Sequence, residues 1–353
     1  KKKTDRDLQG INIATKSISR KYIFGGNMLK IGVIGTGSMG KNHARVCSEI
    51  ENIELVGIAD IDKKATKNIA ERFGTKAFFD YKELLPRVDA AVVATPTITH
   101  YKIAMDFLDG GKHVLVEKPI CDTIDKAKGL VKRAEKEDLV LAVGHIERHN
   151  PAVKFMKDAI NSKRFGELIT LASKRVSNLP GRIKDVGVIF DFGVHDIDVM
   201  RYLAGEVESV YARAGKFNKN ISHEDHANIV LNFENDVNGI VEVNWLTPMK
   251  IRKLFLTCSE NFVEMDYISQ SVTISSSSFK KIDEMNLYHV PIQYNINQVA
   301  LEKKEPLRNE IEDFVDAIEN SKKPLATGED GLKALEVVQA AEESYKKGGV
   351  VKL

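Results

Sequence analysis

Residues 30–40 have the sequence KIGVIGTGSMG, in which an apolar run leads directly into a turn with three glycines. The β-branched run at 30–34 predicts a buried strand, and residues 39–50 have the pattern of an amphipathic helix. In a G-x-G-x-x-G turn between strand and helix, the glycines permit a tight turn, close approach of a pyrophosphate, and close packing of the helix. The helix N-terminus adds free N–H groups for phosphate. The junction therefore predicts a dinucleotide site containing Gly35, Gly37, Ser38, Met39 and Gly40.

The region that follows repeats this alternation of strand and helix. Continuous apolar strands separated by helices indicate a parallel sheet that is covered on both faces. We therefore expect a doubly wound α/β domain, a Rossmann domain, over residues 28–147. Its further predicted strands are 55–59, 90–94, 113–116 and 140–143, and its predicted helices are 63–73, 98–108 and 123–137.

Asp60 ends the second predicted strand and follows the last glycine of the turn by 20 residues. A carboxylate at this place can accept hydrogen bonds from the adenosine ribose and repels a 2′-phosphate. The next residue, Ile61, cannot bind such a phosphate, and Lys63 and Lys64 begin the next predicted helix. The sequence therefore predicts NAD as the cofactor rather than NADP.

The second half of the chain, residues 148–353, has a different pattern in which strands cluster. Alternating apolar residues on both sides of a turn at 235–239 predict an antiparallel hairpin, and the serine run at 275–278 is interpreted as a turn at a sheet edge. We expect an α+β domain with a large, open, mainly antiparallel sheet. The C-terminal helices are also candidates to pack against the first domain. The other predicted elements are helices at 151–162, 307–320 and 331–347 and strands at 168–172, 254–257, 262–266 and 271–275.

Composition limits the classes of function. The 353 residues are 43% hydrophobic and 29% charged, with a net charge of +2. A chain so nearly balanced gives no reason to expect nucleic acid or a membrane as a partner. Cysteines at 47, 121 and 258 form no CxxC pair, which predicts a reducing, cytoplasmic location without a disulfide framework or zinc site.

Two further features of the sequence need interpretation. Residues 1–27 are basic and polar and lack the apolar segment of a secretory signal, so we treat them as a leader outside the fold and Met28 as the natural start. Two groups of residues, at 145–149 and 223–226, could be read as metal ligands. Neither has a supporting cysteine, and the second precedes a strand whose alternate residues point in opposite directions. We therefore predict no metal.

Two segments carry candidate chemistry. Glu117-Lys118-Pro119 ends a predicted parallel strand, where open α/β sheets place their ligands, so Lys118 is expected beside the nicotinamide. The segment 191–198 places Asp191 and His195 four residues apart, on one face of a predicted helix that Asp198 and Tyr202 continue. A histidine on such a face can accept a proton near neutral pH. An ordinary helix with solvated charges is the alternative interpretation.

These motifs together resemble the Gfo/Idh/MocA oxidoreductases. Besides the glycine turn, Glu117-Lys118-Pro119 and Gly193-x-His195-Asp196-Ile197-Asp198, the likeness includes Thr95-Pro96 with His100 downstream, Glu224-Asp225-His226-Ala227 and Thr327-Gly328-Glu329-Asp330-Gly331. The resemblance implies a Rossmann domain, a sheet-based second domain and a homo-oligomer, dimer or tetramer, built sheet against sheet. It also implies that Lys118, Asp191 and His195 form the catalytic group and that Thr95, Pro96, His100, Glu117 and Lys118 contact NAD.

Within this family, residues 145–153 (HIERHNPAV) and 182–188 (RIKDVGV) resemble the UDP-N-acetylglucosamine 3-dehydrogenases. The resemblance implies oxidation of the 3-hydroxyl of a nucleotide-sugar to a ketone. The predicted substrate contacts are Arg148, Asn150, Arg175, Arg182, Lys184 and His195, of which the arginines suit a pyrophosphate because their planar donors match phosphate oxygens. The alternatives are an inositol or free-sugar dehydrogenase of the same family and a non-enzymatic NAD-responsive sensor.

Overall fold

A computed structural model describes residues 28–179, 186–279 and 292–353 of the chain. Its first sheet contains six parallel strands in the order β3-β2-β1-β4-β5-β6. This is the predicted doubly wound sheet, and the predicted fold class is confirmed. The strands are β1 (Leu29–Ile34), β2 (Ile53–Ala59), β3 (Lys76–Phe78), β4 (Ala90–Val93), β5 (His113–Glu117) and β6 (Leu141–Gly144).

Helices cover both faces of this sheet and explain why its strands are apolar throughout. They are α1 (Ser38–Glu49), α2 (Lys63–Arg72), α3 (Thr97–Asp109) and α4 (Ile124–Lys136). The strand order reverses between β1 and β4, which opens a crevice beyond the carboxyl ends of these strands. The glycine turn after β1 and the loop after β4 therefore lie on the two sides of one crevice.

The second sheet has nine strands in the order β14-β13-β12-β11-β7-β10-β9-β8-β15. Only the pair β7–β10 is parallel among the strand pairs of its described residues, so the sheet is mainly antiparallel. The strands are β7 (Leu168–Asn178), β8 (Val207–Gly215), β9 (His226–Phe233), β10 (Asn238–Asn244), β11 (Leu246–Cys258), β12 (Phe262–Asp266), β13 (Ser271–Phe279), β14 (Ile292–Val299) and β15 (Val351–Lys352).

Four further α-helices follow the Rossmann sheet in the chain. They are α5 (Pro151–Asn161), α6 (Val194–Ala204), α7 (Pro306–Glu319) and α8 (Gly328–Lys347). Leu307, Ile311 and Phe314 of α7 share a buried cluster with strand β1 of the first sheet. Gly331 of α8 lies so close to Val143 that a Cβ there would be 2.6 Å from the valine side chain. Both C-terminal helices thus pack against the Rossmann sheet, and a domain boundary between residues 147 and 148 remains a proposal.

One prediction about the second sheet is wrong. Residues 275–278 are not a turn, because they lie inside β13 and pair in register with 293–296 of β14. Serine has no strong preference for strands, so only the pairing partner reveals this assignment. Strands β3, β8, β14 and β15 were not predicted either, since each is short or weakly apolar and is defined by its neighbour in the sheet.

Two further observations concern the cysteines and the helices. Cys47, Cys121 and Cys258 are buried and unpaired. Among the described residues, no helix combines the length and apolar character needed to cross a membrane.

Candidate active site

The three glycines of the first turn have different environments. Gly35 has a φ of +105°, and a Cβ there would be 2.3 Å from the carbonyl oxygen of Ala94. A Cβ on Gly40 would lie 2.0 Å from the carbonyl oxygen of Gly35. Gly37 has nothing within 4 Å of its Cβ position, so it leaves open space above the helix N-terminus. The first and third glycines thus permit packing, and the second leaves room for a ligand.

The N-terminus of α1 is available to an anion. Gly37 is its N-cap and supplies no side-chain cap, and the first turn contains no acidic residue. The first N–H groups of a helix have no partner within it and carry partial positive charge. These groups face the open space at Gly37 and suit a pyrophosphate.

Asp60 is fixed at the end of β2. Its Oδ2 accepts hydrogen bonds from the backbone N–H of Thr36 at 2.7 Å and from the Thr36 hydroxyl at 2.8 Å. Its Oδ1 accepts one from the backbone N–H of Asp62 at 3.0 Å. The next residue, Ile61, is 91% exposed. Because its side chain is uncharged, position 61 supplies no cation to this carboxylate. The orientation suits a ribose diol and disfavours a 2′-phosphate.

A cavity of about 1190 Å³ extends from the glycine turn to the second sheet. Pockets for drug-sized ligands are commonly about 300–1,000 Å³, so this space can hold more than one small molecule. The structure brings most of the predicted site residues together around it. Those in its lining are Gly35, Gly37, Ser38, Met39, Asp60, Thr95, Pro96, Glu117, Lys118, Asp191 and His195.

Lys118 and Asp191 meet across this cavity. The Lys118 ammonium donates to the backbone carbonyl of Asp191 at 2.9 Å and to its Oδ1 at 3.2 Å. The Oδ2 atom of Asp191 is buried and has no partner among the described residues. The Lys118 side chain is 16% exposed, so its charge is held in a partly dry site where electrostatic effects are stronger than in water.

The segment that carries Asp191 is not the regular helix predicted from the sequence. Residues Ile189–Gly193 form a π-helical turn before α6 begins. Glu224 holds this turn, because its Oε1 accepts from the backbone N–H of Ile189 at 3.1 Å. Gly187 leaves room for that carboxylate, since a Cβ there would lie 1.9 Å from it. A single wide turn in a helix often marks a functional site.

Asp198 and Tyr202, predicted to continue the catalytic face, do not line the cavity. Asp198 is 1% exposed and accepts hydrogen bonds from Arg148. The Tyr202 ring lies 5.1 Å from the Arg148 guanidinium carbon. Asp191 and His195 thus both line the cavity, whereas Asp198 and Tyr202 of α6 contact Arg148 outside its lining.

His195 is half-buried in the cavity wall. Its Nδ1 has no hydrogen-bond partner among the described residues. Burial and the positive charges of Lys118 and Arg175 hold the pKa of His195 well below its usual value. The imidazole is therefore neutral near pH 7 and is able to accept a proton.

Glu117 helps to orient Lys118, the residue that follows it. Its Oε1 hydrogen-bonds with His43 Nε2 at 2.8 Å, and its Oε2 accepts from the backbone N–H of Lys118 at 3.2 Å. His100 is buried, and its ring nitrogens Nδ1 and Nε2 each lie 2.9 Å from a carbonyl oxygen, of Pro119 and Thr95 respectively. His100 is absent from the cavity lining and braces these two turns, and its contact with the cofactor stays a prediction.

Three predicted substrate contacts are also absent from the cavity lining. Arg148 is 3% exposed and bonds to Asp198 and the carbonyl oxygen of Leu325. Arg175 is fully buried and bonds to Asp196 and Glu147, while Asn150 caps α5 and donates to the carbonyl oxygen of Tyr267. Their donors bond to groups inside the protein, and direct substrate contact by them stays a prediction. The predictions for Arg182 and Lys184 lie outside the described residues.

Sequence reasoning missed part of the lining. Phe190, Glu147 and Arg252 contribute to the substrate side of the cavity. Phe190 and Glu147 each lie beside a predicted motif, so proximity in sequence could have suggested them. Arg252 comes from β11, far along the chain, and only the sheet order brings it to the site.

The residues of this site fit a nicotinamide dinucleotide. Gly37 leaves open space at an uncapped helix N-terminus, and Asp60 presents a fixed carboxylate at the end of β2. Between these and Lys118 the cavity is continuous. Three family profiles match the chain in order: an oxidoreductase family with an NAD-binding Rossmann fold at 29–145, a GFO/IDH/MocA C-terminal domain at 153–263, and an oxidoreductase C-terminal alpha/beta domain at 290–353.

The chain belongs to the Gfo/Idh/MocA oxidoreductase family. The predicted resemblance is thereby confirmed, and the protein is an NAD-dependent dehydrogenase. It is 27% identical to the UDP-N-acetylglucosamine 3-dehydrogenase of Acidithiobacillus ferrooxidans over 90% of this chain and 98% of that one. It is 25% identical to the myo-inositol 2-dehydrogenase of Thermotoga maritima over 92% of this chain and 98% of that one.

The likeness extends to a solved structure. The solved structure of the UDP-N-acetylglucosamine 3-dehydrogenase of Acidithiobacillus ferrooxidans superposes on this chain with a TM-score of 0.82 at 26% sequence identity. The superposition covers 91% of this chain and 98% of the solved one. The alignments therefore cover at least 90% of this chain and 98% of each of these relatives. Their names differ in the sugar or polyol that each oxidises.

Proposed function

We propose that this dehydrogenase oxidises the 3-hydroxyl of a nucleotide-sugar, UDP-N-acetylglucosamine, to a ketone. The observation that carries the proposal is the meeting of Lys118, Asp191 and His195 in one cavity that continues to the dinucleotide site. The similarity to the UDP-N-acetylglucosamine 3-dehydrogenase supports the choice of substrate. The cavity volume of about 1190 Å³ accommodates a large substrate beside the cofactor.

The mechanism assigns one role to each polar group. Residues 35–39 and Asp60 would hold NAD, which would supply the hydride acceptor when bound. His195 accepts the hydroxyl proton, which its neutral imidazole permits near pH 7. Lys118 stabilises the negative charge that develops on the substrate oxygen. Asp191 positions the Lys118 ammonium through its carbonyl and Oδ1 oxygens.

An inositol or free-sugar dehydrogenase is the second candidate, favoured by the similarity to a myo-inositol 2-dehydrogenase. Such an enzyme needs the same catalytic residues but no recognition of a nucleotide. A non-enzymatic NAD-responsive sensor has no use for a lysine and a neutral histidine facing one cavity. The catalytic group therefore disfavours the sensor.

Incubation with NAD and UDP-N-acetylglucosamine is expected to give a product two hydrogen atoms lighter, detected by mass spectrometry, with matching NADH absorbance. The expected reason is removal of a hydride and a proton from one carbinol. N-acetylglucosamine and myo-inositol serve as matched neutral substrates. If the protein oxidises only these neutral substrates, the nucleotide-sugar is rejected as the substrate, and the assignment as a dehydrogenase is retained.

Wild-type protein is expected to prefer NAD over NADP, and Asp60→Ser with Ile61→Arg is expected to narrow or invert the preference. The carboxylate repels a 2′-phosphate at hydrogen-bonding range, and the double variant replaces repulsion with attraction. Steady-state kinetics with both cofactors measures the ratio of kcat/KM. Ile61→Arg alone, which retains the carboxylate, is the control. A wild-type preference for NADP would contradict the role of Asp60.

We also propose a homo-oligomer, dimer or tetramer, that uses the open face of the second sheet. Alternate residues of its strands are buried, whereas Ile169 and Ile240 on the other face are 47% and 50% exposed. Tyr294 and Ile296 of β14 are 65% and 68% exposed. An apolar sheet face of this kind is typical of a protein interface.

A further inference from the structure

Arg252 enters the cavity from β11, and its guanidinium has no hydrogen-bonded partner among the described residues. Its nearest ion pair joins Nη1 to Glu147 Oε1 at 3.8 Å, which is too long for a hydrogen bond. The side chain is 31% exposed. Within the described part of the chain, its guanidinium otherwise has only longer-range electrostatic interactions. None of its five N–H donors is therefore used by a described residue, and such donors can bind an anionic ligand.

The carboxylates nearest Arg252 already form ion pairs with another cation, Arg175. Arg175 donates to Glu147 at 2.9 Å and to Asp196 at 2.5 Å, and both pairs are buried. Lys250, exposed on the same strand, is close enough to Arg252 for its pKa to be lowered by that charge. Four cations, Lys118, Arg175, Lys250 and Arg252, thus lie near three carboxylates, Glu147, Asp191 and Asp196. The cluster has one positive charge in excess, and that charge borders the cavity.

Arg252 lines the cavity from the second sheet, whereas the predicted cofactor residues of the glycine turn and Asp60 follow strands of the first sheet. The cavity lining runs from the glycine turn through Lys118 to the π-helical turn and β11. The charges of Lys118 and Arg252 both act on His195, so Arg252 lies near the reacting centre. An anionic group attached to the sugar can therefore reach Arg252 while the sugar contacts His195.

We propose that Arg252 is the anion-recognition residue of this enzyme and binds a phosphate carried by the substrate. This inference rests on the proposed function and names the residue that distinguishes a phosphorylated sugar from a neutral one. A guanidinium can donate two parallel hydrogen bonds to phosphate oxygens, and an excess positive charge needs such a partner. The phosphate belongs either to a sugar monophosphate or to the diphosphate of a nucleotide-sugar.

The neighbouring residue of the same strand provides a matched control. Lys253 follows Arg252, and successive side chains of a strand point to opposite faces. It pairs with Glu264 and does not line the cavity. Lys253→Gln therefore removes the same charge from the adjacent position without affecting the site. Arg252→Lys retains the charge but loses the paired donors.

Steady-state kinetics with saturating NAD compares these variants on UDP-N-acetylglucosamine, N-acetylglucosamine 1-phosphate and N-acetylglucosamine. Arg252→Gln is expected to raise KM for the phosphorylated substrates by about tenfold to a hundredfold, with kcat little changed, because uniform binding is lost. KM for the neutral sugar should stay the same. Arg252→Lys should restore part of the affinity, and Lys253→Gln should match wild type. Titration of UDP into the NAD-bound protein by calorimetry repeats the comparison without turnover.

The outcomes separate the inference from the proposed function. If UDP-N-acetylglucosamine is oxidised and Arg252→Gln leaves its KM equal to that of Lys253→Gln, the inference is overturned and the function stands. If only a sugar monophosphate is oxidised and Arg252→Gln raises its KM, the nucleotide-sugar is rejected and the inference stands. If only neutral sugars are oxidised, both are overturned. Retained NAD binding shows that each variant is folded.

Discussion

Replacing Lys118 with alanine is expected to lower kcat by about 10²–10⁴-fold, the range typical of positioned catalytic groups. The ammonium is held by the carbonyl and Oδ1 oxygens of Asp191 at 2.9 and 3.2 Å, so it is fixed before substrate binds. A charge that is preorganised toward a developing oxyanion needs little rearrangement during the reaction. Steady-state kinetics with NAD and the proposed substrate, UDP-N-acetylglucosamine, measures the loss.

NAD binding by the Lys118→Ala variant should persist, because the glycine turn and Asp60 are unchanged. Calorimetry or fluorescence titration with NAD checks this. Lys126 provides the control, since it also pairs with a carboxylate, Asp122, at 2.7 Å but lies outside the cavity lining. Lys126→Ala should retain wild-type turnover. Near-normal kcat in Lys118→Ala would remove this lysine from the mechanism.

The parts of the site that the sequence predicted are those built from short, continuous motifs. The glycine turn, Asp60 and Lys118 each follow a parallel strand, and parallel strands deliver their carboxyl ends to one edge of the sheet. Strand position alone therefore brought these residues together. His195 and Asp191 also reach the cavity, although their predicted helix begins with a π-helical turn that residue spacing does not reveal.

The arginines show what the sequence could not predict. Arg148 and Arg175 lie in suggestive segments, yet each is buried against a carboxylate of α6. Arg252 lies in an unremarkable strand and reaches the cavity. Burial of a cation requires a partner, and that partner is supplied by residues distant in sequence. Whether an arginine serves the fold or a ligand therefore depends on tertiary contacts that no local pattern encodes.

The environment of His195 also has a consequence for pH dependence. Burial and the cations around it, Lys118 first among them, disfavour the imidazolium and lower the pKa of His195 well below 6.5. Lowering the pKa of a base extends its neutral, proton-accepting form to lower pH. The kcat profile should consequently stay level from neutral pH down through 6.5 and fall only at more acidic pH.

His195→Asn is expected to lower kcat by about 10²–10⁴-fold and to remove this acidic limb, because the group that titrates is then absent. Arg252→Gln should instead move the limb toward higher pH, since loss of a nearby positive charge makes the imidazolium less unfavourable. Turnover from pH 5 to 9 with saturating NAD and substrate measures both effects, and Lys253→Gln should keep the wild-type profile. An acidic limb that persists in His195→Asn would assign the proton transfer to another group. A wild-type limb centred at or above the usual histidine pKa would show that the cations of the cavity do not control His195.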